Sequence, residues 1–312
     1  MSAPSLDRLR QSLSNVTWRE TLGKASSIVV ALNDQGSRIP FFCVHSLTGK
    51  ATDYVPLAQR LGPDQPFFAL QIPPAHRSPD FGGTLAPPTI PAIATHYVAA
   101  ITALRPTGAI ALGGWSIGAI IALEMARQLK AQGREVVLLV IFDMIPWNHD
   151  FARHSAPARA LYTALHAPAW LSAHKLVRNG LHLSGLAKRA QIKLAGIIAR
   201  LLGRPAPAKE EIVGDLLDVN KYAPAHVALM EQLFAQAQMY VAARYDGAVQ
   251  VYAASHDVAL THRATLRWGW RHIAPGARLS VMPGAHQTLF NGSSGDRLAA
   301  HLSRALAALS AG

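Results

Sequence analysis

Strand-like and helix-like patterns alternate through the first 145 residues of this chain. Four predicted strands, which are short runs rich in β-branched and aromatic residues, lie at 39–45, 66–72, 109–115 and 135–142. Three amphipathic helical patterns lie between them, at 52–61, 90–104 and 117–132. Such alternation is typical of parallel strands joined by crossover helices. The sequence therefore predicts an α/β fold in which helices flank a mostly parallel sheet.

The pattern changes near residue 147, where helical periodicity continues without strands to about residue 245. Two further strands are predicted at 248–254 and 278–282, followed by a helix near 296–309. A helical insertion thus interrupts a sheet that resumes after it. We expect four segments: an N-terminal extension (1–25), the first part of the core (26–146), a helical insertion (147–245) and the C-terminal part of the core (246–312).

Length and composition favour a globular protein. The chain has 312 residues, half of them hydrophobic, which is enough for one large core with an inserted subdomain. Its first residues lack the apolar region of a secretory signal, and no apolar run is long enough to span a bilayer. We expect a soluble, cytoplasmic protein without stable membrane insertion. Its one cysteine, Cys43, excludes an internal disulfide and any multi-cysteine metal site.

The positive charge is concentrated in one part of the predicted insertion. The net charge is +12, and residues 151–209 contain ten Lys or Arg and no Asp or Glu. Within 181–204, Arg189, Lys193, Arg200 and Arg204 share one face of a predicted amphipathic helix. This face is interpreted either as solvated, as a docking surface for an acidic partner, or as a membrane-surface contact. Nucleic acid is not expected as a partner, because no nucleic-acid-binding motif is present.

A candidate nucleophile stands between a predicted strand and a predicted helix. Residues 114–118, GWSIG, match the G-x-S-x-G pattern, with strand residues before the serine and helical residues after it. That context requires a sharp turn at Ser116, and the flanking Gly114 and Gly118 leave room for the chain to pass closely. The helix beginning at Ile117 would direct main-chain N–H groups at negative charge developing near the serine oxygen.

A serine nucleophile needs a base and an acid, which follow it in chain order in this type of fold. His286 comes directly after the last predicted strand and is the best candidate base; the other late histidines are interpreted as surface residues, namely His256, His262, His272 and His301. Two aspartates, Asp143 and Asp257, each end an apolar strand. Either could orient the imidazole, and the residues alone do not choose between them.

Five blocks of the sequence resemble one family. They read PFFCVHSLTG, YVPLAQRLGPDQPFFALQ, LGGWSIGAIIALEMARQLKAQG, LVIFDMIPW and MPGAHQTLF. In this order they resemble the type I thioesterase domains of nonribosomal peptide synthetases and polyketide synthases, over roughly residues 28–309. The resemblance implies an α/β-hydrolase fold in which the helical insertion forms a lid.

The resemblance also implies roles for particular residues. The triad would be Ser116, Asp143 and His286, whereas an acid at Asp257 would resemble the arrangement of discrete, type II thioesterases. The main-chain amides of Leu47 and Ile117 would form the oxyanion hole. The first-strand loop of the family usually reads close to H-P-x-G-G, and residues 45–49 of this chain, HSLTG, depart from that pattern.

The implied reaction is release of an acyl, peptidyl or polyketide chain from a carrier protein through a serine acyl-enzyme, by hydrolysis or cyclisation. No cofactor is expected beyond the phosphopantetheine that presents the substrate, and no metal site is expected. The partner would be an acidic carrier protein, with its candidate contacts at Lys188, Arg189, Lys193 and Arg200. Two alternatives stay open: a lipase-like carboxylesterase acting on oxoesters at an anionic surface, and a hydrolase scaffold used for binding alone.

Overall fold

The computed structural model describes residues 28–73, 89–144, 222–255 and 269–310. The chain divides into two compact units. Unit 1 comprises residues 1–141 and 299–312, and unit 2 comprises residues 142–298.

Unit 1 is built on five strands. They are β1 (Val29–Asn33), β2 (Phe41–Val44), β3 (Phe67–Leu70), β4 (Ile110–Trp115) and β5 (Val136–Phe142). The last residue of β5, Phe142, is assigned to unit 2. The strand order is β1-β3-β2-β4-β5. β2 pairs in parallel with both β3 and β4, whereas β1 runs antiparallel to β3. Val44 at the end of β2 is in register with Leu70 and with Gly114.

The central strands are buried on both faces, as expected where helices cover a parallel sheet. Every residue of β2 and β3 is buried. The ring of Phe41 meets that of Phe67 edge-on at 5.2 Å between centroids, and Phe42 stacks on Phe68 at 4.9 Å. These aromatic pairs between neighbouring parallel strands hold β2 and β3 in register.

Helices follow the strands of unit 1. A 3₁₀ turn (Ala51–Tyr54) runs into α1 (Val55–Leu61); α2 spans Ile90–Leu104 and α3 spans Ile117–Ala131. At the start of α2, the Thr89 hydroxyl accepts from the Ala92 N–H at 3.4 Å. After α3 the chain reverses at Gly133, whose φ of 75° favours glycine.

Unit 2 contains α4 (Pro224–Met239) and the parallel pair β6 (Val249–Ala254) and β7 (Arg278–Met282). A 3₁₀ turn (His286–Thr288) precedes α5 (Gly292–Ser310), which extends from unit 2 into the residues assigned to unit 1. All six residues of β6 are buried, and Tyr252 stacks on Phe142 at 5.8 Å. The Trp270 indole donates to the Met144 carbonyl at 2.8 Å.

The predicted α/β fold, a mostly parallel sheet flanked by helices, is confirmed. α2 has the predicted bounds, and α3 ends one residue before the predicted end. The strand β1 was not predicted; it is a short strand that pairs only with β3, so its position depends on a partner distant in sequence. α5 begins at Gly292, four residues before the predicted start, because the glycines and serines at 292–295 give no apolar periodicity.

Only residues 222–245 of the predicted insertion are described, and they include α4. Among the helices that the structure describes, none combines the length and apolar character needed to cross a bilayer.

Candidate active site

Ser116 occupies the single-residue turn between β4 and α3 in unit 1. Its backbone has φ 57° and ψ −127°, a conformation that residues with a side chain rarely adopt. Holding a non-glycine residue there costs about 1–3 kcal/mol, which the surrounding packing must offset. The Ser116 hydroxyl does not cap the helix that follows it. Ser116 is therefore a partly exposed residue held in a strained backbone conformation, and its hydroxyl makes no capping hydrogen bond at the start of α3.

The glycines around this turn are required by close backbone contacts. A Cβ at Gly114 would overlap the main-chain carbonyl of Gly118. A Cβ at Gly118 would overlap the carbonyl oxygen of His45, in the loop after β2. Both glycines of the motif thus permit the first turn of α3 to lie against the ends of β2 and β4.

The loop after β2 contains Leu47, one of the two expected oxyanion donors. His45 at its start is fully buried. The His45 Nδ1 lies 2.6 Å from the Ser46 carbonyl and its Nε2 lies 2.7 Å from the Tyr97 hydroxyl. Because a carbonyl only accepts, Nδ1 carries the proton and Nε2 accepts from Tyr97. Both ring nitrogens are hydrogen-bonded, so His45 fixes the start of the loop to Tyr97 of α2.

The second expected donor, Ile117, is the first residue of α3. N–H groups in the first turn of a helix have no acceptor within the helix. The Ala119 N–H already turns back to the Ser116 carbonyl at 3.0 Å. The Ile117 N–H therefore lies at the positive end of the α3 dipole, directly after the strained serine.

In unit 2, the structure brings Asp143 and His286 together. The Asp143 Oδ2 lies 2.7 Å from the His286 Nδ1, with 10% of the aspartate side chain and 35% of the histidine side chain exposed. These residues are 143 positions apart in sequence. The candidate base and one of the two candidate acids therefore form a directly bonded pair.

The Asp143 carboxylate is oriented by β6. Its Oδ1 accepts from the Ala254 N–H at 2.7 Å, and its own N–H donates to the Tyr252 carbonyl at 2.7 Å. Asp143 has φ 50°, a conformation that aspartate tolerates better than most residues. One carboxylate oxygen is thus held by the main chain, which leaves the other directed at His286.

The His286 ring is carried by a loop that is itself fixed by hydrogen bonds. The Ala285 N–H donates to the Thr288 hydroxyl at 3.0 Å, and the Thr288 N–H returns to the Ala285 carbonyl at 2.9 Å. Gly284, with φ 104°, lies so close to Ser294 that a Cβ would contact its hydroxyl at 2.5 Å. A short, tightly bonded turn therefore sets the direction of the imidazole.

This pair has a defined chemical consequence. A carboxylate can only accept, so the His286 Nδ1 carries the proton in the hydrogen bond to Asp143. The neutral ring then has its lone pair at Nε2, which is the atom able to take a proton from a hydroxyl. Positive charge formed on the ring would be stabilised by the adjacent carboxylate.

Several other expected site residues lie outside the described residues. They are the alternative acid Asp257 and the basic residues Lys188, Arg189, Lys193 and Arg200. Of the remaining late histidines, His272 is exposed and His301 is half-buried on α5, whereas His256 and His262 also lie outside the described residues. Within the described ranges, no group of three or more His, Cys, Asp or Glu side chains could hold a metal ion.

Sequence reasoning did not assign roles to Tyr97 or Asp53, both of which contact the loop after β2. Tyr97 binds His45, and Asp53 accepts from the Ser46 hydroxyl at 2.8 Å. The alternating hydroxyl residues Ser46 and Thr48, followed closely by an aspartate, are the signal that could have indicated the second contact.

Comparison with known proteins gives consistent matches. Residues 39–306 match the model of the family described as thioesterase domain. A chondramide synthase from Chondromyces crocatus is 35% identical over 144 residues, covering 46% of this chain and 4% of the synthase. A dimodular nonribosomal peptide synthase from Bacillus subtilis (strain 168) is 34% identical over 149 residues, covering 47% of this chain and 6% of the synthase. The chain thus matches only a small part of these curated relatives.

Among solved structures, the NocB thioesterase domain from a nocardicin cluster is similar to most of this chain. The TM-score is 0.58 and the sequence identity 25%, covering 90% of this chain and 100% of the NocB domain.

Proposed function

Because the chain belongs to the thioesterase-domain family, we propose that it releases an acyl, peptidyl or polyketide chain from a phosphopantetheinyl carrier protein. The family expected from the five sequence blocks is confirmed, and so is its α/β-hydrolase fold. One matching relative is a dimodular nonribosomal peptide synthase, which supports a substrate carried as a thioester.

The observation that carries the proposal is the orientation of His286 by Asp143. The 2.7 Å hydrogen bond at Nδ1 leaves Nε2 as the basic atom of the ring. A serine hydroxyl is a weak nucleophile until a base takes its proton, so a base held in one tautomer is what the reaction needs. We assign Ser116 as the nucleophile, because it combines the G-x-S-x-G pattern with a strained turn between strand and helix.

Acylation follows from these roles. The Ser116 Oγ attacks the thioester carbonyl carbon while His286 Nε2 takes the hydroxyl proton. The carbonyl oxygen gains negative charge, which the N–H groups of Leu47 and Ile117 stabilise. The C–S bond then breaks, and the pantetheine sulfur leaves as a thiol with the proton from His286. The product is an ester between the acyl group and Ser116.

Deacylation reverses the proton transfers. Water, or a hydroxyl or amine of the acyl chain itself, attacks the ester carbonyl while His286 accepts its proton. The C–O bond to Ser116 breaks and His286 returns the proton to the serine oxygen. Water as nucleophile gives hydrolysis, and an internal nucleophile gives cyclisation. These steps use the triad and the two main-chain oxyanion donors, and they require no cofactor besides the phosphopantetheine that carries the substrate.

The carrier protein is the proposed partner. Carrier proteins are acidic, so the basic segment at 151–209 would attract one electrostatically. The affinity for a cognate carrier protein should fall as salt increases and on charge reversal of Arg189 and Arg200. Binding that is independent of salt would contradict an electrostatic contact.

The proposed function is tested by intact-protein mass spectrometry. Wild type and Ser116→Ala are mixed with a panel of acyl-pantetheine thioesters, and free thiol is measured in parallel. We expect a mass increase equal to the acyl group in wild type and none in Ser116→Ala. The matched control is Ser303→Ala, which removes a hydroxyl on α5 that accepts from Arg38 and should acylate as wild type does.

The outcomes separate the competing functions. Matched oxoesters of the same acyl groups are assayed beside the thioesters. Preference for oxoesters would favour the carboxylesterase interpretation. The absence of adduct and of thiol release with every thioester would overturn the proposal, and an adduct retained in Ser116→Ala would overturn the assignment of the nucleophile.

A further inference from the structure

Two consecutive main-chain donors of the loop after β2, the N–H groups of Ser46 and Leu47, have no acceptor among the described residues. Leu47 is only 6% exposed. Main-chain N–H groups in buried segments nearly always have a partner, so one without an acceptor must be held in place by its neighbours.

The neighbours of Leu47 converge on one carboxylate. Asp53 lies in the 3₁₀ turn that follows the loop, and its Oδ2 accepts from the Ser46 hydroxyl at 2.8 Å and from the Thr48 hydroxyl at 2.6 Å. The two hydroxyl oxygens are 3.1 Å apart. Each hydroxyl has a single proton, which goes to Asp53, so each oxygen is then an acceptor toward the main chain.

The main chain of the loop uses these acceptors. The Thr48 N–H donates to the Ser46 Oγ and the Lys50 N–H donates to the Thr48 Oγ1, each at 3.3 Å. The Gly49 N–H donates to the Ser46 carbonyl at 3.1 Å. The amides on the C-terminal side of Leu47 are therefore turned toward the oxygens of the loop itself. The amides of Ser46 and Leu47 are left outside this set of bonds, and Leu47 is the one of the two that was expected as an oxyanion donor.

The loop also lies against the turn that carries Ser116, within unit 1. Val44 at the end of β2 is in register with Gly114 near the end of β4. The carbonyl oxygen of His45 is so close to Gly118 that a Cβ there would overlap it. The position of Leu47 relative to the strained serine therefore depends on the conformation of residues 45–49.

We propose that Asp53 is a positioning residue, which acts through Ser46 and Thr48 to hold the Leu47 N–H as an oxyanion donor. This inference rests on the proposed function. It also explains how residues 45–49 form a donor loop without the usual H-P-x-G-G pattern, because hydroxyl groups and a carboxylate replace proline and glycine in setting the shape of the loop. Asp53 exchanges no atom with the substrate.

The first test measures turnover of an acyl-pantetheine thioester by Asp53→Ala and Asp53→Asn. An oxyanion contact strengthens in the transition state, so we expect kcat to fall by about 10–100-fold in Asp53→Ala while KM changes by less than about threefold. Asp53→Asn keeps an acceptor oxygen of similar shape and should lose less. The rate at which a fluorophosphonate labels Ser116 should fall in parallel, because its phosphoryl oxygen occupies the same position.

A second test asks whether Asp53 acts through the two hydroxyls. The double variant Ser46→Ala/Thr48→Ala should lose as much kcat as Asp53→Ala does. Adding Asp53→Ala to that double variant should cause less than about a twofold further loss, because groups acting as one unit are not additive. Independent, multiplicative losses would overturn the assigned route.

Asp64 provides the matched control. This carboxylate also clamps a loop in unit 1: it accepts from the Ser37 N–H at 3.0 Å, from the Ser37 hydroxyl at 3.1 Å and from Arg38 at 3.0 Å. Asp64→Ala removes a similar set of bonds from the N-terminal side of β2. It should lower the melting temperature and leave kcat within about twofold of wild type.

The outcomes distinguish this inference from the proposed function. Wild type that neither turns over any thioester nor labels at Ser116 overturns both. Wild type that is active or labels, with Asp53 variants within twofold of its rate, overturns the role of Asp53 alone. A raised KM with unchanged kcat, or equal kcat losses in Asp53→Ala and Asp64→Ala, would show a merely structural role. If Asp53→Ala does not fold, the kcat of Asp53→Asn relative to wild type is used instead. A value within twofold of wild type overturns the role of Asp53.

Discussion

The two carboxylate oxygens of Asp143 bind two different partners, and the partner of the second oxygen is His286. Oδ1 is bound to the Ala254 N–H of β6 and Oδ2 to the His286 Nδ1, each at 2.7 Å. The first bond fixes the plane of the carboxylate, and the second bond fixes the tautomer of the imidazole. The orientation of the base is thus tied to the main chain of a buried strand.

Asp143→Asn is expected to lower kcat by about 10⁴-fold, the size of effect seen when a triad acid loses its charge. The amide oxygen can replace Oδ1 at Ala254, but the amide NH₂ then faces His286 and favours a proton on Nε2. Steady-state thioester turnover measures the loss, with circular dichroism to check folding. Asp246→Asn, which alters an exposed ion pair with Arg244, is the control and should remain fully active. Activity of Asp143→Asn near that of the control would exclude Asp143 as the acid.

Replacement of Ser116 by glycine and by alanine separates strain from chemistry. Both variants should lose acylation. Glycine adopts φ 57° without steric cost, whereas alanine keeps the strain, so Ser116→Gly should be about 1 kcal/mol more stable than Ser116→Ala after the greater chain entropy of glycine is counted. Thermal or urea unfolding of the two proteins gives the difference. Alanine equal to or more stable than glycine would argue against strain at this turn.

Gly118→Ala should destabilise the protein by about 1–3 kcal/mol, because the added Cβ would overlap the carbonyl oxygen of His45. The overlap is with main-chain atoms, so a side-chain rotation cannot relieve it. The same substitution at Gly276, where no atom lies within 4 Å of the added Cβ, is the control and should be neutral or slightly stabilising. Urea unfolding midpoints compare the two. Equal stability of both variants would contradict the close approach of α3 to the loop after β2.

Cys43 should not react with thiol reagents in the native protein. It is fully buried in β2, and this burial raises the pKa of its thiol well above the ordinary value, so the reactive thiolate is scarce at neutral pH and inaccessible. Labelling with a chromogenic disulfide at pH 8 should detect one thiol per chain only after unfolding in urea. Labelling of the folded protein at the rate of the unfolded protein would contradict the burial of Cys43.

Much of the fold could be read from local patterns. The apolar run before Ser116 and the helical periodicity after it placed β4 and α3 to within one residue. Such signals are contained within one element, because side-chain periodicity reflects which face of that element is buried. Strand β1 was not predicted, because five residues carry little periodicity and its partners in β3 lie 34 to 41 positions away in sequence.

The sequence by itself determined the candidate nucleophile, since a strand, a G-x-S-x-G turn and a helix are consecutive. Local patterns did not choose between Asp143 and Asp257, because both residues end apolar strands and such patterns do not report distant partners; only the family resemblance implied Asp143. Only the tertiary structure placed Asp143 beside His286, with Ala254 holding the other carboxylate oxygen. The contact of Asp53 with Ser46 and Thr48 also required the tertiary structure, because these hydrogen bonds form only when the backbone of the folded loop places the hydroxyl groups beside the carboxylate.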